Sequence, residues 1–238
     1  MGQVYTKEPL SPPWDPLPGR VFAQLSSTSD WLKERPSFTG EWIMALSQTG
    51  GRGRSDHTWI SPVGGLYMSV KVPMCKRVLG WSLAMGVAVV EEIRNRGLAA
   101  SLKWPNDIER DGLKLGGILG EVVDGGVVLG LGLNIGNAPW PAGSGHLSLA
   151  STEADLMGWA ESIVSRLATI SIWDEGRLEA RWIELWHGRE TDLSEGSAAF
   201  RGRITGVSLR SDEVSLTSAA GRAILRASQL REHWPSLQ

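Results

Sequence analysis

Apolar positions recur at spacings of three and four along residues 76–96. Leu79, Leu83, Val87, Val90 and Ile93 share one helical face there, and Gly97 supplies a stop. The pattern predicts a second helix over about 152–170, capped by Ser151 or Thr152, and a third over about 174–187. A shorter helix starts at Ser27-Thr28-Ser29-Asp30, runs through Trp31 and Leu32, and is closed by Pro36 and Gly40. Apolar runs of strand length lie between the helices: 21–25, 42–46, 66–70, and 102–104, the last broken at Pro105. Residues 115–123 and 126–133 read as two strands joined at Asp124-Gly125, a strong hairpin signal. Beyond Gly188 the texture changes to short strands over 200–207, 214–217 and 223–225, the pattern of a small β-barrel of roughly 50 residues. Residues 1–20 carry Pro9, Pro12, Pro13, Pro16 and Pro18 and read as an extended arm. The sum is an α/β chain in three parts: the arm, a main domain over 21–187 and a β-module over 188–238.

Length and charge narrow the function classes. The chain has 238 residues, enough for one large domain with a small appendage. Its 24 basic and 26 acidic residues leave a net charge of −2, which argues against a nucleic-acid surface built from bulk positive charge or a polybasic membrane protein. Cys75 is the single cysteine, so an intrachain disulfide and a Cys-rich zinc site are both excluded. We expect Cys75 to pack near the start of the long helix. The four histidines, at 57, 146, 187 and 233, lack ligand spacing. No apolar run is long enough to cross a bilayer, and the N-terminus lacks a secretion-signal pattern. The expectation is a cytoplasmic protein with no fixed metal, Mg²⁺ arriving only with a nucleotide. Twelve Trp against two Tyr and three Phe imply that Trp does the aromatic packing.

Three constellations carry chemistry. The first is Gln48-Thr49-Gly50-Gly51-Arg52-Gly53-Arg54, where glycines let backbone approach a ligand and two guanidinium forks match a carboxylate or phosphate. The second is Lys103-Trp104-Pro105-Asn106-Asp107 followed by Lys114-Leu115-Gly116-Gly117-Ile118-Leu119. Here a Lys, an Asn and an Asp converge at one sheet end, which suits activation of an anion. The third is Gly130-Leu131-Gly132-Leu133-Asn134-Ile135-Gly136, whose alternating glycines permit close approach of a flat ligand, with Asn134 offering a donor and an acceptor. It lies within a strand pair and is not a dinucleotide fingerprint.

These motifs, in this order and with Trp59 after the arginine loop, resemble those of biotin protein ligases over roughly residues 20–140. The resemblance implies a class II synthetase-like ligase domain, with a mixed, largely antiparallel sheet flanked by helices, and a C-terminal SH3-like β-barrel. It implies two steps: biotin and MgATP give biotinyl-5′-AMP and pyrophosphate, and a lysine of a biotin carboxyl carrier domain then takes the biotinyl group and releases AMP. By the same resemblance Ser27, Thr28, Gln48, Gly51, Arg52, Arg54, Lys114 and Gly117 fall at biotin-binding positions. Arg52, Arg54, Trp59, Asn106, Lys114 and Asn134 fall at nucleotide-binding ones. Lys114, Arg54 and Asp107 carry the catalysis, Lys114 bridging biotin carboxylate and α-phosphate and Asp107 receiving the acceptor lysine. Family members are monomers or homodimers, and repressor-type members carry an N-terminal DNA-binding domain. Only about 20 proline-rich residues stand before Val21 here, so the expectation is the short class without DNA binding. Two departures stand out. Ser55-Asp56-His57 replaces the usual Arg-Gly-Arg, and Thr28-Ser29 replaces the usual Thr-Asn. The first removes cations from the loop, so His57→Arg is expected to tighten ligand binding. Two alternatives remain open: a related lipoate- or octanoate-type acyl ligase, and a non-catalytic biotin- or carrier-binding module.

Overall fold

The computed structural model describes residues 12–54 and 57–232. Pro9, Ser55, Asp56 and His233, named above, lie outside the described residues. In chain order the elements are β1 (Arg20–Phe22), α1 (Thr28–Lys33), β2 (Trp42–Ala45), β3 (Gly65–Val72) and α2 (Val78–Asn95). Then come β4 (Ser101–Lys103), β5 (Asp107–Arg110), β6 (Leu113–Val123) and β7 (Gly126–Asn134). The helices α3 (Glu153–Ser171) and α4 (Glu175–Leu185) follow, then β8 (Thr191–Glu195), β9 (Ala198–Ser208), β10 (Glu213–Ser218), β11 (Gly221–Arg226) and β12 (Leu230–Glu232).

The first sheet has seven strands in the order β1-β2-β3-β7-β6-β5-β4. It is antiparallel except at β1–β2, so the expected mixed, largely antiparallel sheet is present. The β6–β7 hairpin turns where expected: Val123 pairs with Gly126, and Gly125 takes the left-handed φ of 70° that a tight turn demands. Helix α2 ends one residue before the Arg96 cap, and Gly97 follows at φ 79°. Thr152 caps α3 through a reciprocal capping box with Asp155, whose carboxyl is held below its usual range by hydrogen bonds from the Thr152 hydroxyl and backbone N–H.

Period-two alternation gives the sheet two unlike faces. Along β7, Val127, Leu129, Leu131 and Leu133 join the main core with Trp81, Leu83 and Val87 of α2 and Trp159 and Ile163 of α3. The intervening positions are Val128, Gly130, Gly132 and Asn134. Only Val128 is a large apolar residue, and it packs with Leu32 and Ile43 in a small cluster under α1. That second face is small and polar where α1 does not cover it, and it leaves room for a site.

Among the described tryptophans, Trp14, Trp42, Trp81, Trp104, Trp159, Trp182 and Trp186 are buried, in line with a packing role. Trp14 is only 5% exposed and the Leu17 carbonyl accepts from Trp42 Nε1, so the described part of the proline-rich segment lies against the core. Cys75 is exposed rather than packed, because it sits in the turn ahead of α2 and not on its buried face.

The second sheet is antiparallel, in the order β11-β10-β9-β8-β12. Where an SH3-like barrel was expected, the described residues form a small five-stranded antiparallel sheet. Its end strands β11 and β12 pair with one neighbour each, so no ladder among the described strands closes it. Leu193, Ile204, Val214 and Leu216 of this sheet belong to the same apolar cluster as α2 and α3, and α4 packs on β9. Among the described residues no helix is long and apolar enough to cross a membrane.

Candidate active site

A cavity of about 720 Å³ opens on the small-residue face, within the size range of small-molecule sites. Ser27, Thr28, Gln48, Arg52, Arg54, Trp59, Asn106, Asp107, Lys114, Gly117 and Asn134 all line it, so three motifs distant in sequence converge on one space. Gly51 alone among the expected residues does not. It lies under the loop, where a Cβ would stand 2.4 Å from the Trp59 carbonyl oxygen.

One end of the cavity is a hydroxyl and amide cluster. Ser27 caps α1, its hydroxyl accepting from the Asp30 N–H at 3.3 Å. Gln48 Oε1 accepts from the Thr28 backbone N–H (2.8 Å) and hydroxyl (3.1 Å), while its Nε2 donates to Ser61 Oγ at 3.0 Å. Those bonds fix which way the Gln48 amide faces. Ser69, fully buried in β3, meets the hydroxyls of Thr28 (2.8 Å) and Ser29 (3.0 Å). Ser69 was not singled out from the sequence. The available signal was one small polar residue in the apolar run Leu66-Tyr67-Met68-Ser69-Val70, at a position facing away from the core.

The other end is charged. Lys114 Nζ stands 2.7 Å from Asp107 Oδ1 and 5.7 Å from the centre of the Trp59 ring. Asp107 is 8% exposed and opens β5, and its strand neighbours put it opposite Lys103 on one side and Gly117 on the other. A bulge between Ile108 and Glu109 shifts the register so that Lys114 reaches this carboxylate. Gly117 keeps the space clear: a Cβ there would lie 3.4 Å from Asp107 Oδ1 and 3.6 Å from the Lys114 side chain. Arg54 donates to Asn106 Oδ1 at 3.1 Å, and Asn106 Nδ2 donates to the Ile118 carbonyl at 2.8 Å. Asn134, 3% exposed, donates to the Gly145 carbonyl at 2.9 Å.

Gly132 explains how Trp59 lies against the sheet. A Cβ at that position would stand 2.3 Å from Trp59 Nε1, so only glycine admits the indole. The Trp59-bearing segment is a narrow hairpin: Trp59 N–H donates to the Gly51 carbonyl at 2.9 Å and Gly53 N–H to His57 at 2.6 Å. His57 Nδ1 lies 2.9 Å from the Arg54 carbonyl oxygen.

Comparison with known proteins agrees with this geometry. Residues 21–136 match the family model described as the biotin/lipoate A/B protein ligase family. A biotin–[acetyl-CoA-carboxylase] ligase of Mycobacterium tuberculosis is 38% identical over 132 residues, covering 50% of each chain. The bifunctional ligase/repressor BirA of Escherichia coli is 32% identical over 127 residues, covering 48% of this chain and 40% of that one. The chain thus spans half or less of the length of these curated relatives. A solved biotin protein ligase from Aquifex aeolicus, in complex with biotin and ATP, superposes with a TM-score of 0.77 at 23% identity, covering 91% of this chain and 99% of that one. That likeness speaks to the fold. With the motif order, the sheet and the matched span in agreement, residues 21–136 of this chain form a domain of the biotin/lipoate A/B protein ligase family.

Proposed function

We propose that the protein is an ATP-dependent biotin ligase. It joins biotin to ATP, giving biotinyl-5′-AMP and pyrophosphate, and passes the biotinyl group to a lysine of a biotin carboxyl carrier domain. The observation that carries this is the pairing of two unlike ends in one cavity. A neutral hydroxyl and amide cluster (Thr28, Ser29 and Gln48, backed by the buried Ser69) suits the ureido head of biotin, and a cationic end (Lys114, Arg54) suits its carboxylate beside a phosphate. A dithiolane or plain acyl tail would leave that polar end without partners, which disfavours the lipoate-type reading.

Both reactants are anions and repel until cations screen them. The Lys114 ammonium is the group that bridges the biotin carboxylate and the α-phosphate, and Arg54 spreads positive charge over the same region. A carboxylate oxygen then attacks the α-phosphorus, the acyl–phosphate bond forms, and the bond to the departing pyrophosphate breaks. Mg²⁺ enters as part of the nucleotide substrate. Trp59 offers a flat face for the adenine, and Asn134 a donor at the same wall. In the second step the acceptor amine approaches Asp107, which orients it and holds its proton as the acyl carbon is attacked and AMP leaves. The Gly51–Trp59 hairpin keeps water from the anhydride.

The small second sheet is SH3-like in this reading and forms a module over 188–238, the ligase domain occupying 21–187 and the proline-rich segment 1–20. Carrier docking beside Asp107 needs neither DNA nor a membrane, and the chain works in the cytoplasm as a monomer or homodimer. Incubation with biotin, MgATP and pyrophosphatase-coupled detection tests the reading. Biotin-dependent pyrophosphate release supports it; release with lipoate alone would move it to the lipoate class, and biotin binding without release would reduce it to a binding module.

A further inference from the structure

The two arginines of the Gly-Arg loop have different surroundings. Arg54 reaches the Asn106 amide beside the charged end of the cavity. Arg52 also lines the cavity, but its guanidinium is held by α1 and β6. Its Nη2 donates to Asp30 Oδ1 at 2.7 Å and to both Glu121 oxygens, at 2.9 and 3.2 Å. Lys33 Nζ meets the same two carboxylates from its own side, at 2.9 Å to Asp30 and 2.8 Å to Glu121. Two cations and two carboxylates therefore form a closed, neutral cluster that ties the loop to α1 and β6. Burial alone pushes the Asp30 carboxyl up and the Lys33 ammonium down, yet the mutual pairing outweighs it, so Asp30 lies below and Lys33 above the ordinary value.

Arg52 also sits at a special point of the hairpin. It bridges to Thr58 between the Gly51–Trp59 and Gly53–His57 hydrogen bonds. Holding its guanidinium holds the stem that lays Trp59 on Gly132 and aims Arg54 at Asn106.

We infer that Arg52 is a positioning residue and not an anion ligand: with Asp30, Glu121 and Lys33 it forms a latch that keeps the loop closed over the cavity before and after adenylate formation. The latch rests on the ligase reading for its consequence, retention of the adenylate, but not for its existence. Asp30 and Glu121 contact neither Lys114 nor Asp107, so loosening them frees the loop stem and leaves the Lys114–Asp107 pair in place, while Arg54 keeps its own bond to Asn106. The alternative is that Arg52 binds the substrate anion and the carboxylates merely hold it when no ligand is present. The two cases differ in sign.

The test uses the full chain and two variants, Glu121→Gln and Asp30→Asn. In the ligand-free protein, trypsin is expected to cut after Arg54 about fivefold faster in either variant than in wild type, the factor a partly exposed ion pair is worth, with the melting temperature lowered by only about 2–4 °C. An unchanged cleavage rate overturns the latch whatever the protein catalyses. With biotin and MgATP, single-turnover pyrophosphate formation should stay within about twofold of wild type, while preformed biotinyl-AMP is lost about fivefold faster after dilution. In the ligand-free protease assay Arg52→Met should match Glu121→Gln, and the double variant should be cut no faster than either alone. Slower loss of adenylate in Glu121→Gln would mean that Arg52 was released to hold the anion, and would refute the inference. Absence of pyrophosphate from wild type would instead refute the ligase reading, and the protease result would still decide the latch.

Discussion

Replacing Lys114 by Met keeps most of the side-chain volume and removes one charge. In the structure that charge stands 2.7 Å from Asp107 Oδ1 on a carboxylate only 8% exposed. Two costs follow. The carboxylate loses a charged hydrogen-bond partner, which destabilises the fold by about 1–3 kcal/mol. The second cost is catalytic. If the ammonium lies between the biotin carboxylate and the α-phosphate, its loss resembles removal of one preorganised donor from a developing charge, about 3–4 kcal/mol, or a 10²- to 10³-fold fall in adenylation rate. The two costs separate experimentally. Melting temperature reads the first. Single-turnover pyrophosphate release at saturating biotin and MgATP reads the second. Adding Asp107→Asn to Lys114→Met should recover part of the lost stability, because the buried charge that lost its Lys114 partner is neutralised, and should leave adenylation as slow as before. Recovery of adenylation in the double variant, or a rate within threefold of wild type in Lys114→Met, would refute the bridging role.

Other consequences follow from single contacts. Gly132→Ala would place a Cβ 2.3 Å from Trp59 Nε1, so the indole must move; ATP affinity measured by titration should fall at least about tenfold while biotin affinity changes little. Asp107→Asn should slow transfer to a carrier domain by about 10²-fold, with adenylate formation affected less, as followed by AMP release with and without carrier. Glu109 is 1% exposed and pairs with Arg189 across the junction to the second sheet, so Arg189→Met should lower stability by about 1–3 kcal/mol in urea unfolding, and a second change, Glu109→Gln, should restore part of it. The Asp30 carboxyl lies below 3.8 when folded, so its stabilisation is complete above that value and is lost as pH falls through the lower folded one. The Lys33 ammonium lies above 10.5, so its share is complete below that value and is lost as pH rises through the higher folded one. The melting-temperature difference between wild type and Asp30→Asn should therefore be flat across neutral pH and shrink in acid.

Much of the seven-stranded sheet was legible because its signals are local. Asp124-Gly125 fixed the β6–β7 turn, and alternation along β7 put Gly130, Gly132 and Asn134 on one face. Ser151 or Thr152 marked the start of α3, and the structure puts the cap at Thr152. Other elements carried no such signal. β5 is four residues, Asp-Ile-Glu-Arg, whose two acids read as loop although both are buried by sheet neighbours. β8 and β12 are short and polar for the same reason, which is why the second sheet was read with fewer strands. In the site, the convergence of Gln48, Asn106–Asp107 and Lys114 followed from motif order. The Arg52 partners did not, because Glu121 is 69 residues away and its pairing depends on β6 passing beneath the loop. Ser69 was hidden by its apolar neighbours, and its role shows only when α1 is seen to bring Thr28 and Ser29 against it.

The most direct measurement is the intact mass of an apo carrier domain incubated with this protein, biotin and MgATP. The account requires a gain of one biotin less one water on a single lysine, dependent on ATP and lost in Lys114→Met. An unmodified carrier, with the protein folded and biotin bound, would contradict it.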